Sequence, residues 1–116
     1  MPLEPSRDLV LKKLRDCFPN SQAAAEALAI LDSYGTQSWH SERERVQLAI
    51  LKQSNGDLPR LRQLVGLADR DYRDALVGAE YLEEFQASSK TSPQEMAAIR
   101  KRDREQYEAW LRSGGT

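Results

Sequence analysis

Hydrophobic residues recur along this chain at spacings of three and four, the period of an α-helix with one buried face. Five segments show the pattern within residues 6–85, and a sixth covers 92–113. No segment alternates hydrophobic and polar residues as a strand does. The sequence therefore predicts an all-α fold, a compact array of five or six helices forming a single domain over residues 1–116.

Helix starts are marked by side chains that can accept hydrogen bonds from free backbone N–H groups. Two of these starts have the capping-box spacing, Ser41 with Glu44 and Ser92 with Glu95. The other predicted caps are Ser6, Asn20 or Ser21, and Asp57. In the C-terminal helix, 92–113, charged residues interrupt the apolar pattern, so we expect both ends to pack and the middle to be exposed.

The stretch 69–85, DRDYRDALVGAEYLEEF, is the least generic part of the sequence. Read as one helix capped by Asp69, it is apolar over more than half of its circumference, which predicts a central position. Tyr72 and Tyr81 belong to the apolar side, whereas Asp69 and Arg73 belong to the charged side. The acidic residues at the front of the stretch are typical of a helix N-terminus.

Asp71 and Asp74 fall inside the apolar side of this predicted helix. A carboxylate there is either hydrated at the helix end or buried and paired. We predict a structural role, in a partly buried network with arginines of the two preceding helices. The candidate partners are Arg43, Arg45, Arg60 and Arg62. The alternative is a carboxylate site for a metal ion or for acid–base chemistry.

Glu80, Glu83 and Glu84 crowd the C-terminal end of the same stretch, where the helix dipole disfavours anions. They form either a solvated face or a contact with a basic surface. The Arg-Lys-Arg run at 100–102 could supply that surface, from the same chain or from a second copy.

Composition excludes several classes of function. The net charge of −1 gives no overall field for nucleic acid or an anionic membrane, and no run approaches the length of a membrane span. One cysteine, Cys17, and one histidine, His40, cannot build a disulfide or a zinc site within the chain. Cys17 is interpreted as a buried apolar residue, and His40 lacks the neighbours of a catalytic histidine. We expect a cytoplasmic protein, since the N-terminal residues lack the apolar run of a signal peptide.

Residues 57–76 resemble a helix-turn-helix, with the turn at 66–68. The second helix of that motif would present acidic residues to DNA phosphates, which repel them. No signature of an enzyme, a metal site or a cofactor site occurs in the sequence, so no catalytic, metal or cofactor residues are predicted.

The leading interpretation is thus a non-enzymatic helical module that contacts a protein partner or a second copy of itself. The alternatives are a helix-turn-helix nucleic-acid binder over 57–76 and, third, a carboxylate-based metal-dependent enzyme. The candidate interaction or structural residues are Asp71, Tyr72, Arg73, Asp74, Glu80, Tyr81, Glu83 and Glu84. Apolar anchors, if exposed, are Trp39, Tyr107 and Trp110.

The run Asp71-Tyr72-Arg73-Asp74, followed by Ala79-Glu80-Tyr81, resembles a motif of small uncharacterised bacterial helical proteins. In those proteins a proline often follows the tyrosine, where this chain has Leu82. The resemblance covers about the central third of the chain. It implies a bacterial origin and an all-α fold, and it brings no activity or catalytic residues.

Overall fold

The structure, a computed structural model, describes residues 5–37, 40, 42–88 and 90–113. These residues form seven helices and no strand, which confirms the all-α prediction. The helices are α1 (Arg7–Cys17), α2 (Ser21–Leu31), α3 (Arg43–Ser54), α4 (Leu58–Arg70), α5 (Tyr72–Glu80), α6 (Leu82–Gln86) and α7 (Pro93–Arg112). None of the helices described is long and apolar enough to cross a membrane.

Helix α3 lies at the centre of the fold. Its residues 46–51 are all fully buried, and it contacts α1, α4 and α5. The polar member of that run, Gln47, donates from Nε2 to the carbonyl oxygens of Leu31 and Tyr34, at 3.2 and 3.1 Å. The central position was predicted for 69–85, and this was wrong. The buried residues of that stretch, Ala75, Leu76 and Ala79, all belong to α5, and α6 has none, whereas α3 is buried around more of its circumference.

Three of the predicted caps are confirmed. Ser6 Oγ accepts from the Leu9 N–H at 3.2 Å, Asn20 Oδ1 from the N–H groups of two residues in the first turn of α2, and Ser92 Oγ from the Glu95 N–H at 3.1 Å. Asp57 precedes α4 but makes no side-chain capping bond. Ser41 lies outside the described residues, so its predicted capping box with Glu44 remains a prediction.

The stretch 69–85 is not one helix. Asp69 belongs to α4, and Asp71 is the residue that caps α5, accepting from the Arg73 N–H at 3.1 Å. A second break follows at Tyr81, whose φ of −145° is not helical. Beyond it, the buried Asp103 of α7 accepts from the N–H groups of Glu83 and Glu84, at 3.2 and 2.9 Å. The break at Tyr81 divides the predicted helix into α5 and α6, so seven helices are observed where five or six were predicted.

The same boundaries correct the helix-turn-helix comparison. Residues 66–68, the predicted turn, lie inside α4, and a single residue separates α4 from α5. The three-residue turn of the motif is therefore not formed at that position.

Helix α7 packs on the core at its C-terminal end, whereas Met96 and Ile99 near its N-terminus are only half-buried and are not part of the core cluster, so the expectation is met at one end. Leu111 is buried, and Tyr107 and Trp110 pack partly buried against the core. The buried Lys13 of α1 holds the C-terminal end, because its ammonium donates to the carbonyl oxygens of Trp110 and Ser113 at 2.5 and 3.0 Å. The predicted exposed middle is confirmed except for Asp103. Trp39 lies outside the described residues.

Candidate functional site

The eight residues predicted as candidates do not meet in one site. Asp71 and Arg73 stay at the N-terminus of α5, where the Arg73 guanidinium donates to the Asp71 carboxylate at 3.1 and 3.2 Å. The hydrogen bonds from the Arg73 guanidinium, together with the one from the Arg73 backbone N–H, lower the pKa of Asp71 below its ordinary value. Asp74 is exposed in the first turn of the same helix.

The predicted network between these aspartates and Arg43, Arg45, Arg60 and Arg62 is therefore wrong. The physical reason is the position of the helix start. With the cap at Asp71 rather than Asp69, Asp71 is outside the helix and Asp74 is on a solvated first turn.

Glu80, and not Asp71 or Asp74, is the candidate carboxylate that pairs with an arginine of α3. Its two carboxylate oxygens accept from Nη2 and Nε of Arg45, at 2.6 and 2.8 Å. Hydrogen bonding to Glu80 raises the pKa of Arg45 above its ordinary value. Tyr72 and Tyr81 pack partly buried against the core.

Glu83 and Glu84 meet the basic run of α7 within the same chain. Arg102 Nε lies 3.4 Å from Glu83, and Arg100 Nε lies 2.7 Å from Glu84. The arginines of α7 thus compensate the negative charges of Glu83 and Glu84 within the chain. These charges are less available to a partner than the sequence suggested.

Two apolar side chains of α6 remain in solvent. Leu82 is 43% exposed and Phe85 is 70% exposed, beside the two ion pairs to α7. We call Leu82 and Phe85 the α6 patch. Single exposed hydrophobic residues are ordinary, but an aromatic ring this exposed on a five-residue helix is not needed for the packing of that helix.

An apolar depression lies between α1 and α2. Its volume is about 190 Å³. We call it the α1–α2 depression, and it is lined by Leu11, Leu14, Arg15, Ala24, Ala25 and Leu28. The small side chains of α2 leave this space open, and Arg15 makes no ion pair with any described residue.

A larger cleft of about 630 Å³ separates the segment after α2 from one face of α4. We call it the His40 cleft. On the side of α4 it is lined by Arg62, Val65, Gly66 and Asp69, a helical spacing of three, one and three. On the other side it is lined by Ile30, Ser33, Tyr34, Thr36, Gln37 and His40.

His40 joins the two sides of this cleft. Its Nδ1 accepts from the N–H groups of Gly35 and Gln37, at 2.8 and 3.2 Å. Because Nδ1 is an acceptor, the ring proton is on Nε2, which donates to Asp69 Oδ1 at 2.6 Å. The ring also stacks on Tyr34, with 4.4 Å between centroids. Both ring nitrogens are engaged, so His40 is a structural link between the two sides of the cleft.

Gly66 lies in the middle of the α4 wall of the cleft. A methyl group there would meet no atom of the described residues within 4 Å, so their packing does not require glycine at this position. Glycine inside a helix costs about 1 kcal/mol relative to alanine. The sequence interpretation placed Gly66 in a turn and so did not connect it with a site.

No signal within the sequence pairs His40 with Asp69, since 29 positions separate them. Among the residues that the structure describes, no group of three or more His, Cys, Asp or Glu side chains could hold a metal ion. The chain matches no protein-family model, no curated protein and no solved structure. The resemblance to small bacterial helical proteins therefore remains a prediction.

Proposed function

We propose that this protein is a non-enzymatic interaction module that binds a second copy of itself, with Phe85 of one copy entering the α1–α2 depression of the next. The single observation that supports the proposal best is the exposure of Phe85, at 70%. Burying an aromatic side chain is strongly favourable, so a ring presented on the surface is suited to a pocket on a partner.

The depression has the size and chemistry for such a ring. An apolar cavity of about 150 Å³ is known to hold benzene. The α1–α2 depression offers about 190 Å³, walled almost entirely by apolar atoms. An aromatic ring therefore fits it without displacing the core residues beneath, such as Leu14.

Charge around the two surfaces is complementary. Arg15 stands at the edge of the depression, exposed and without an ion pair to any described residue. Glu83, half exposed beside Phe85, is a carboxylate that Arg15 of another copy could meet, and its own contact with Arg102 is long, at 3.4 Å. The guanidinium could also stack on the Phe85 ring.

The two surfaces are different, so the contact would be head-to-tail. Such contacts produce rings or open chains rather than a dimer with one shared twofold interface. Each contact would be small, which supports reversible assembly at high local concentration rather than a permanent oligomer. The cytoplasmic location predicted from the sequence is part of the same proposal.

Sedimentation velocity over a range of protein concentrations tests this proposal. We expect the average mass of the wild type to rise with concentration, and Phe85→Ser to stay monomeric with an unchanged melting temperature. Gln86→Ala, an exposed change on the same helix, is the matched control and should assemble as the wild type does. A wild type that stays monomeric at high micromolar concentration would refute the proposal.

A further inference from the structure

We infer that the His40 cleft binds a small molecule that carries a primary ammonium group on an apolar body, with Asp69 as the receptor for the ammonium. This site is independent of the α6 patch and of the α1–α2 depression, since it shares no residue with either.

Gly66 is the first observation that points to a ligand. No atom of the described residues lies within 4 Å of the place where its side chain would be, so alanine would not clash with that part of the chain. Glycine is favoured where a ligand must come close to backbone atoms. The position of Gly66 between Val65 and Asp69 on the cleft wall makes it the place where a ligand would touch the backbone of α4.

Asp69 supplies the recognition chemistry. One of its oxygens, Oδ1, accepts from His40, which fixes the carboxylate at the mouth of the cleft. The other oxygen accepts no hydrogen bond from any described residue, and the side chain is 52% exposed. Nδ1 of His40 accepts from two backbone N–H groups, so the ring contacts Asp69 through Nε2 alone. The second oxygen of Asp69 is the one that a cation would meet.

The remaining described walls mix aliphatic and neutral polar side chains and carry no charge besides Arg62, which suits an uncharged body better than a second charge. Ile30 and Val65 provide aliphatic surface on opposite sides of the cleft. The only guanidinium in the lining, that of Arg62, is already paired with Glu26 at 3.0 Å, which reduces its attraction for an anion. A volume of about 630 Å³ is within the range of small-molecule sites.

Titration of the full chain with phenethylamine, followed by amide chemical shifts in NMR spectra, tests the inference. Phenylacetate has the same ring and the opposite charge, and serves as the matched ligand control. We expect phenethylamine to shift the amides of residues 33–37 and 62–69 in a saturable way at millimolar concentration, and phenylacetate to leave them unchanged. Absence of saturable shifts with phenethylamine, or equal shifts with both compounds, would overturn the inference.

Three variants sharpen the test. Asp69→Asn keeps the acceptor for His40 and removes the charge, so it should weaken phenethylamine binding by about tenfold or more while the protein stays folded. Gly66→Ala should weaken binding to a similar degree and raise the melting temperature, which separates loss of the site from loss of the fold. Gln63→Ala, on a face of α4 outside the cleft, should change neither. Wild-type binding by Gly66→Ala would refute the role assigned to the glycine.

Discussion

Arg45 in α3 holds Glu80, the last residue of α5, by two hydrogen bonds of 2.6 and 2.8 Å. The Glu80 side chain is 16% exposed and that of Arg45 is 36% exposed, so this partly buried pair joins the central helix to α5. Paired hydrogen bonds between a guanidinium and a carboxylate are among the stronger polar contacts in proteins.

Replacing Glu80 by Ala should destabilise the fold by about 1.5–3 kcal/mol, because it removes charged hydrogen bonds and leaves Arg45 with Glu42 alone. Asp74→Ala is the control on the same helix. Its side chain is exposed, so we expect a change of less than about 0.5 kcal/mol. Urea denaturation of both variants gives the comparison, and a larger loss for Asp74→Ala would contradict the placement of the two carboxylates.

Gly66 and Gly78 should respond oppositely to alanine. At Gly66 the added methyl group meets no atom of the described residues, so helix propensity should raise the free energy of unfolding by about 1 kcal/mol. At Gly78 the methyl group would overlap the amide of Gln53, which donates to the Ala75 carbonyl oxygen at 2.7 Å. Displacing that amide should cancel the gain or reverse it. Thermal denaturation of the two variants tests this, and equal stabilisation would show that Gln53 moves without cost.

Stability should fall in acid partly through Asp32. Hydrogen bonds from Arg7, at 2.6 and 2.8 Å, lower the pKa of Asp32 below its ordinary value of about 3.9. The unfolded state therefore binds the proton more readily. The contribution of Asp32 is fully present above pH of about 4 and is lost as the pH falls through the lower pKa of the folded state. Asp32→Asn should be less stable than the wild type at pH 7 and should show a flatter decline in acid. An identical acid decline in both proteins would contradict this assignment.

Lys13 should be needed to keep the end of α7 on α1. Its ammonium donates to two carbonyl oxygens at that helix end and lies 4.4 Å from the centre of the Trp110 ring. Lys13→Met keeps the length of the side chain and removes the Lys13 hydrogen bonds to both carbonyl oxygens, at a cost of about 1–3 kcal/mol. The Trp110 carbonyl oxygen still accepts from the Ser113 N–H and hydroxyl, so the loss falls mainly on the Ser113 carbonyl oxygen. In a Trp39→Phe background the fluorescence of Trp110 should shift to the red. An unchanged emission would show that the end of α7 is held by its apolar contacts alone.

Local patterns in the sequence predicted the fold class and most helix starts, because caps and apolar spacing are properties of neighbouring residues. These patterns failed where a residue distant in the sequence determines where a helix begins or ends. Asp103 offers a carboxylate to the start of α6 from 19 and 20 positions away, which helps α6 to begin after the break at Tyr81. Of the two alternatives that the sequence left open, Glu83 and Glu84 follow the contact with the basic run, whereas Glu80 pairs with Arg45 of α3.

The candidate sites depended even more on tertiary contacts. The His40 cleft depends on the hydrogen bond between His40 and Asp69, which are distant in the sequence. The position of Gly66 on the cleft wall can be recognised only when α4 is known to continue through it. The sequence interpretation did not connect His40 with Gly66. It considered His40 as a possible catalytic histidine and Gly66 as part of a helix-turn-helix turn.

The central claim is that Phe85 of one copy binds the α1–α2 depression of another. The most direct measurement mixes two variants, Phe85→Ser, which lacks the ring, and Ala25→Trp, which fills the depression. Each variant alone should sediment as a monomer, whereas the mixture should form a one-to-one dimer and nothing larger, because only one intact pair of surfaces remains. Self-association of either variant alone, or a mixture that stays monomeric while the wild type assembles, would contradict the account.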